Sequence, residues 1–398
     1  MPAPTQWKAS DLTPAVIKAS DGSIRTVTGQ RDGSRPGDVT SDGSLIFDAD
    51  FANQPDWAPE YGSQSYRFVG DTYTDGSANS NYPSLNADAS QNLPGKFDFF
   101  YTGERWHPNG DRNANYAPEP TKQPVGVIGN IHGNRTDPNG KSFVVTDESY
   151  GNPGQWGSDA QLTKDLGAEY SELWFEVWVR FQPGFQWQAL IERDGQSTMK
   201  LLRCRRHSGI TTNNRYSFFG EDAYSGYPVM IQDLKVWPVY TDENWMRSVG
   251  FLRGYSHPDT YGTSDAYSTM GDYDENPEEG IYQGGSTALS WEQTFGDGEW
   301  HKINVYLKMD SLPGAADGVY EFWLDDIKEY AITDIPWRQV GDPDPMGWNE
   351  CSIGGNMHNI WVAEIEQAEQ WYQVDDFKIY SGRPNRPSTP SNVIRVLN

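Results

Sequence analysis

Alternating apolar and polar residues mark several segments in the second half of the chain. In residues 173–181 the odd positions are apolar, whereas the even positions carry two tryptophans, a glutamate and an arginine. Residues 299–309 repeat the pattern, with His301 on the apolar side. Because successive side chains of a strand point to opposite faces, each segment predicts a β-strand with one face toward a core.

The closing segment, residues 371–380, alternates in the same way. Regular alternation predicts that Asp376 shares a face with Tyr372 and Val374, and that Asp375 points to the other face. Two neighbouring carboxylates, one on each face, would each need a partner. Turn-forming residues directly after the segment end the predicted strand.

The rest of the chain predicts an all-β protein. Its 40 glycines and 26 prolines punctuate it frequently, and long stretches with helical periodicity are scarce. Aromatic residues make up 14% of the chain although hydrophobic residues reach only 36%. This composition favours short strands, many turns and aromatic packing between sheets. Further strands are predicted at residues 125–131, 142–146, 199–207 and 319–325.

The predicted organisation is one large domain with extensions at both ends. Residues 1–44 contain three Asp-Gly-Ser turns and few large apolar residues, which predicts an extended arm or a small β appendage. Residues 45–382 form the predicted main domain, within which residues 208–290 are expected to form loops over one sheet face. Residues 383–398 form a tail. The arm and the tail are expected to pack against neighbouring protein subunits.

Net charge limits the possible partners. The chain carries 31 basic and 56 acidic residues, a net charge of −25, which argues against nucleic acid and anionic membranes as partners. No apolar run approaches the roughly 18 residues of a membrane span, so no membrane insertion is expected. The first residues lack the pattern of a secretory signal. Either a signal was removed or the protein reaches an extracellular or virion-surface location by another route.

The two cysteines, Cys204 and Cys351, both lie in strand-like runs. They are either buried thiols or partners in a bridge, and the redox compartment stays open.

Between residues 173 and 382 the chain resembles the concanavalin-like jelly-roll polysaccharide lyases, the alginate and glucuronan lyase group. The resemblance implies two curved antiparallel sheets, with an oligosaccharide held on a concave face. It also implies a basic residue in the groove, for which Lys200 is the match, although the Gly and Pro that flank this residue in the family are absent here. The matching phrases are residues 173–185, 199–202, 297–303, 317–325, 352–355 and 372–380.

Lyase chemistry requires a specific set of side chains. To eliminate a uronate, an enzyme neutralises the sugar carboxylate with a cation or amide, removes the C5 proton with a base and protonates the leaving oxygen with an acid. The candidates for these roles, if the chain is a lyase, are Lys200, Tyr306, His132 and Arg135.

Glycan binding without catalysis would use aromatic and cationic side chains. Alternation along residues 199–207 predicts one face for Arg203, Arg205 and His207, and the other face for Lys200 and Arg206. The arginines form an anionic-sugar groove, pair with the many acidic residues, or contact another subunit. The tryptophans either stack on pyranose rings or pack beneath residues 208–290. The candidate glycan-binding residues are Trp174, Trp178, Arg180, Arg203, Arg205, His207 and Trp323.

Acidic residues near the two ends of the main domain suggest a metal site. Asp48 and Asp50 lie at the first predicted strand of this domain, and Asp375 and Asp376 lie at the last. First and last strands of jelly rolls are commonly neighbours, so a Ca²⁺ is expected to bridge these carboxylates, and the resemblance implies that such a site is structural. The alternative is ordinary aspartates in surface turns. No organic cofactor is expected, since the chain has no phosphate-binding glycine loop.

Three functions remain open from the sequence. The favoured hypothesis is a glycan-recognising, lyase-like protein that serves as a structural or adhesive component of a larger assembly such as a virion surface. The second is an active lyase that cleaves an acidic polysaccharide by β-elimination. The third is a purely architectural protein with no affinity for sugars.

Overall fold

The structure is a computed structural model of the 398-residue chain. It describes residues 15–18, 24–27, 43–52, 54, 56, 67–68, 97, 99–102, 126–148, 158–185, 197–206, 229–238, 246–255, 295–315, 317–335, 337–338, 340–358 and 369–384. His207, most of the arm and the tail beyond residue 384 therefore lie outside the described residues.

Most of the described chain is β-strand, arranged in two large sheets and one small hairpin. The hairpin pairs β1 (Ala15–Lys18) with β2 (Ile24–Val27) inside the predicted arm. The first large sheet contains β4 (Arg67–Phe68), β5 (Phe99–Thr102), β8 (Ser158–Tyr170), β10 (Ser197–Arg205), β11 (Val229–Pro238), β12 (Met246–Tyr255) and β16 (Trp348–His358). The second contains β3 (Leu45–Ala49), β6 (Gly126–Gly129), β7 (Ser142–Glu148), β9 (Glu172–Phe181), β13 (His301–Lys308), β14 (Gly318–Leu324), β15 (Ile327–Ile335) and β17 (Glu369–Tyr380).

The strand order confirms the predicted two-sheet antiparallel jelly roll. The first sheet runs β12-β11-β10-β16-β8-β5-β4, and the second runs β15-β14-β13-β9-β17-β7-β6, with β3 also paired to β17. From β7 to β10 the chain changes sheet at every strand, so strands that are distant in sequence become neighbours. Crossing between two sheets in this way encloses one core between them. β11 and β12 show that the range 208–290 contributes two ten-residue strands, longer than the sequence pattern indicated.

One continuous core lies between the sheets. The apolar positions of β9 (Leu173, Phe175, Val177, Val179 and Phe181) all belong to it, as the alternation predicted. Phenylalanine rings bridge the two layers: Phe97 packs edge-on against Phe47 at 5.1 Å and stacks on Phe377 at 6.3 Å. The aromatic-rich composition is therefore used where it was expected, because large rings fill the space between sheets efficiently.

The expected alternation is broken in β17. Tyr372, Val374, Phe377 and Ile379 all enter the core, so the inward positions change from even to odd within the strand. The pairing with β9 shifts between Asp375 and Lys378, and Asp376 adopts a positive φ of 48°. This β-bulge inserts one extra residue, and the predicted assignment of the two aspartates to opposite faces was therefore wrong.

A second bulge changes the outward face of β10. Its pairing shifts between Lys200 and Leu202 against β11 and between Met199 and Leu202 against β16, and both Leu201 and Leu202 enter the core. Lys200 is consequently on the same face as Arg203 and Arg205, whereas regular alternation placed it opposite them. The correction matters because it brings three cations of one strand together.

Candidate functional site

The outward face of the first sheet, called face I below, carries a central group of buried polar side chains. Gln161 and Thr163 of β8 lie on it, joined by a hydrogen bond of 3.0 Å from Gln161 Nε2 to Thr163 Oγ1. Lys200 and Arg203 of β10 lie on the same face, and each is only 3% exposed. Buried polar groups on a sheet face cost desolvation energy, so a cluster of them at the centre of this face indicates a use beyond packing.

The centre of face I is a row of paired residues around two glycines. Arg203 pairs in register with Ser352, which in turn pairs with Thr163. Ser352 is fully buried, and its Oγ has no hydrogen-bond partner among the residues that the structure describes. Gly355, with φ of 148°, leaves the space in which the Arg203 guanidinium lies, since a Cβ there would stand 2.6 Å from Arg203 Nη2. The centre of face I thus combines the cations of β10, the Ser352 hydroxyl, which no described residue satisfies, and a glycine backbone that leaves room for a guanidinium.

Arg205 has a different role from its neighbours on the strand. Its guanidinium makes a 2.5 Å ion pair with Glu350 of β16, and the two side chains are 1% and 3% exposed. A fully buried pair of this kind neutralises itself, so Arg205 is a structural residue of face I and not a contact for a sugar. The alternative that some arginines pair with acidic residues therefore holds for Arg205.

The predicted catalytic set does not come together. Tyr306 of β13 is on the outward face of the second sheet, called face II below, in a cluster separate from the main core. Lys200 is on face I, so the whole core of the sandwich separates the two side chains, and sheets in such sandwiches pack about 10 Å apart. Tyr306 also donates a 2.7 Å hydrogen bond to Glu172, and burial together with this carboxylate raises its pKa. Lys200 and Tyr306 therefore lie on opposite faces of the sandwich and not at one place.

Two of the three predicted stacking tryptophans are inaccessible. Trp174 and Trp323 are both 0% exposed and pack edge to face at 5.7 Å beside Tyr306. The guanidinium of Arg383 lies 4.0 Å from the centre of the Tyr306 ring and binds Glu321 at 2.7 Å. These tryptophans form a small second core on face II, so their rings are not exposed for stacking on a sugar.

Partly exposed aromatic residues lie farther along face II. Trp178 has Arg135 at 4.7 Å and Lys302 at 5.8 Å from its ring centre. Trp371 stacks on His132 with 3.9 Å between ring centres. Burial, aided by the charge of Arg180, lowers the pKa of His132, so its imidazole is neutral at neutral pH. His132 and Arg135 are thus on the side of the sandwich opposite Lys200, not at the rim of one common groove.

The loop of residues 130–141 holds His132 and Arg135 in place. Asn134 accepts hydrogen bonds from the backbone of Thr136 and Asp137 within the loop. Gln373 of β17 donates a 2.8 Å hydrogen bond to the carbonyl of Gly133. At Gly133, with φ of 75°, a Cβ would meet the backbone of Pro138 at 2.6 Å. The loop is therefore a fixed part of face II.

Three of the four predicted metal ligands converge. Asp50, Asp375 and Asp376 each place a carboxylate oxygen within 4.8 Å of the others. Burial raises the pKa of Asp375 to about 6, a rise opposed by the Arg135 amide and increased by the charges of Asp376 and Asp50. Arg135 binds Asp376 at 2.5 Å. Asp48 is not part of this group, because it pairs in register with Lys378 beyond the bulge.

Several residues of face I escaped sequence analysis. Gln161 and Thr163 come from a strand without a recognisable motif, Glu350 lies outside the 352–355 phrase of its strand, and only sheet pairing brings them beside β10. Ser352 precedes the Gly354–Gly355 pair, which was the one available signal.

The chain is similar to several solved structures at low sequence identity. They include a marine PL-14 alginate lyase from Aplysia kurodai (11% identity, TM-score 0.40, covering 64% of this chain and 86% of the lyase). They also include the endo-β-1,4-glucuronan lyase of the fungus Trichoderma reesei (12%, 0.34, 71% and 94%) and LamAcat from Zobellia galactanivorans (13%, 0.37, 85% and 97%).

These alginate and glucuronan lyases are the group that the sequence phrases resemble. Neither a family model nor a curated protein sequence matches the chain. TM-scores of this size carry no argument about activity, and the fold rests on the strand pairing of the chain itself. Among the described residues, no helix is long and apolar enough to cross a membrane.

Proposed function

We propose that the protein binds an acidic polysaccharide on face I. The observation that carries the proposal is the bulge in β10, which gathers Lys200 and Arg203 on one buried polar sheet face beside Ser352. Arg205 and Glu350 neutralise each other, and Lys200 and Arg203 on the same face carry the positive charge that we propose balances a sugar carboxylate. Ser352 offers a buried hydroxyl that no described residue satisfies with a hydrogen bond.

Binding fits this face better than elimination does. A lyase needs an acid and a base close to the neutralising cation. Tyr306 and His132, two of the candidates for acid or base, are both on the opposite side of the sandwich. The protein therefore serves as a glycan-recognising, structural or adhesive component of a larger assembly, such as a virion surface, in which the arm and tail contact neighbouring subunits.

The test is binding of uronate oligosaccharides to matched variants. Glucuronate and mannuronate hexasaccharides, with neutral cellohexaose as the control ligand, are titrated calorimetrically into the native chain, Lys200→Ala and Arg203→Gln. Each variant is expected to weaken binding about tenfold or more, because it removes a charge-assisted contact. Tyr306→Phe is the matched control on face II and is expected to bind normally. Equal affinity of the native chain and both face I variants would contradict the proposal.

A parallel assay separates binding from catalysis. Elimination creates an unsaturated uronate that absorbs in the ultraviolet. No such product is expected from the native protein. Product formation that is lost in Lys200→Ala would establish the lyase alternative. Absence of any binding across acidic and neutral glycans, together with stable oligomers, would establish the architectural alternative.

The expected structural Ca²⁺ belongs to the same proposal. Asp50, Asp375 and Asp376 supply only oxygen ligands, which suit this ion, and they join the start of the main domain to its last strand. Ca²⁺ is expected to raise the melting temperature of the native protein, and a chelator to lower it. Asp375→Asn should abolish this response, with Asp137→Asn, in the loop of residues 130–141, as the control. A melting temperature that Ca²⁺ leaves unchanged would remove the ion from the proposal.

A further inference from the structure

Arg180 differs from its fellow arginines in its partners. Its Nε donates a 2.7 Å hydrogen bond to the carbonyl of Gly298, and its guanidinium lies 5.7 Å from the centre of Trp371. Within the part of the chain that the structure describes, it has no carboxylate partner, although acidic residues greatly outnumber basic ones. Five other arginines do pair with carboxylates: Arg135 with Asp376, Arg205 with Glu350, Arg206 with Glu169, Arg338 with Asp310 and Arg383 with Glu321.

The surroundings of Arg180 suit a ligand. His132 lies close enough for the charge of Arg180 to lower its pKa, and its ring makes no hydrogen bond to the described residues. The Trp371 indole under His132 is only partly buried and adds apolar surface. The rigid loop of residues 130–141 fixes His132, while β9 and β17 fix the other two side chains. A guanidinium with free Nη groups, a neutral imidazole and an indole edge are thus preorganised at one place.

We propose that Arg180, His132 and Trp371 form a second binding site, on face II, for a carboxylate-bearing sugar residue. The Nη groups of Arg180 bind the carboxylate, His132 donates a hydrogen bond to the ligand, and the pyranose ring packs against Trp371. A guanidinium matches the two oxygens of a carboxylate, and a few polar groups beside an apolar surface are typical of a ligand site. This site is independent of face I, since the core of the sandwich lies between them.

Two opposed sites would let one molecule cross-link two polysaccharide chains. Calorimetric stoichiometry with a glucuronate tetrasaccharide tests this directly. Two ligands per native chain and one for Arg180→Gln are expected. If face I does not bind, the same experiment gives one ligand for the native chain and none for Arg180→Gln, so failure of the proposed function and failure of this site are distinguishable.

A second readout follows the imidazole of His132. In an NMR titration the acidic tetrasaccharide is expected to raise the pKa of His132, because a neighbouring anion stabilises the imidazolium. Arg206→Gln, an arginine with a carboxylate partner, is the matched control and should keep this response. Lys200→Ala should keep it as well, whereas Arg180→Gln should lose it. If Arg180→Gln fails to fold, Arg180→Lys replaces it. Affinity is then expected to fall about tenfold, because an ammonium group cannot bind a carboxylate through two parallel hydrogen bonds as a guanidinium does.

Each contrary result overturns the second site. A His132 titration that the saturating ligand leaves unmoved would do so, as would an equal response in Arg180→Gln and in the native chain. Loss of the response in Lys200→Ala would assign the binding to face I alone.

Discussion

The two outward faces of the sandwich carry their charges in different ways. On face I, Lys200 and Arg203 lie on one strand and are nearly fully buried. The buried carboxylate of Glu350 forms an ion pair with Arg205. On face II, carboxylates and cations are mixed, and most cations already have an anionic or aromatic partner, as Arg135 and Lys302 show. The same residue types therefore form the proposed glycan site on face I, whereas on face II they are mainly structural contacts, apart from the proposed site at Arg180.

The difference originates in two bulges. In β10 the extra residue moves Lys200 to the face of Arg203, and in β17 it brings Asp375 and Asp376 toward Asp50. Each bulge concentrates charge that regular alternation would have divided between two faces. Bulges of this kind redirect side chains without altering the fold.

The largest expected effect on stability comes from removing the carboxylate that neutralises Arg205 on face I. Glu350→Ala leaves Arg205 buried without its anion and should destabilise the fold by about 3–5 kcal/mol. Replacing both residues with apolar ones of similar size, in the double variant Arg205→Met with Glu350→Leu, should recover most of this loss. Urea denaturation measures both. A single variant as stable as the native chain would show that the pair is not a structural contact.

An effect of intermediate size on stability is expected from His301, whose side chain lies on the inward face of the second sheet. Burial opposes protonation of His301, yet hydrogen bonds of 3.0 Å to Asp297 and 2.8 Å to Asp325 raise its pKa to about 9. Its folded-state pKa is above the unfolded value of about 6.5, so the stabilisation is complete below pH 6.5 and is lost as pH rises through 9.

The size of this loss is at most about 3 kcal/mol. Urea denaturation between pH 6 and 10 should show it, and His301→Gln should remove it. A native stability that stays level over this range would contradict the assignment. A loss of stability in the native chain that is absent in His301→Gln would show that this histidine, on the apolar face of its strand, stabilises the fold.

A smaller effect distinguishes face II from face I. Tyr306→Phe removes the hydrogen bond to Glu172 and should cost about 1 kcal/mol of stability, since the ring continues to pack beside Trp174. Affinity for an acidic glycan on face I should be unchanged. Reduced affinity in this variant would mean that the two faces are coupled.

The smallest effect concerns the layer between the faces. Cys204 and Cys351 pair directly across β10 and β16 with 2.8 Å between sulfur atoms, and burial raises the pKa of both thiols. In the folded protein neither thiol should react with a soluble disulfide reagent at neutral pH, and both should react after unfolding. Rapid labelling of the folded chain would contradict this burial. Failure to label the unfolded chain would show that the pair is oxidised.

Sequence patterns predicted the fold well because strand alternation depends only on neighbouring residues. The inward face of β9 and the core position of His301 followed directly from period-two patterning. The site residues were less predictable. Lys200 and Arg203 were identified by their charge, but their common face depends on a bulge that alternation does not encode. Trp174 and Trp323 were identified as candidate stacking residues, but their burial depends on packing across neighbouring strands.

By itself the sequence determined that this chain is an antiparallel β sandwich with an aromatic core. Apolar side chains at alternate positions cover one face of a sheet, and that face is buried when two sheets pack against each other. It also determined which side chains carry charge. Only the tertiary structure decided which of these charges meet. Sheet order places Ser352 and Glu350 beside β10, and the core separates Lys200 from Tyr306. Contacts between strands that are distant in sequence leave no local pattern, and for this reason they could not be read from the sequence.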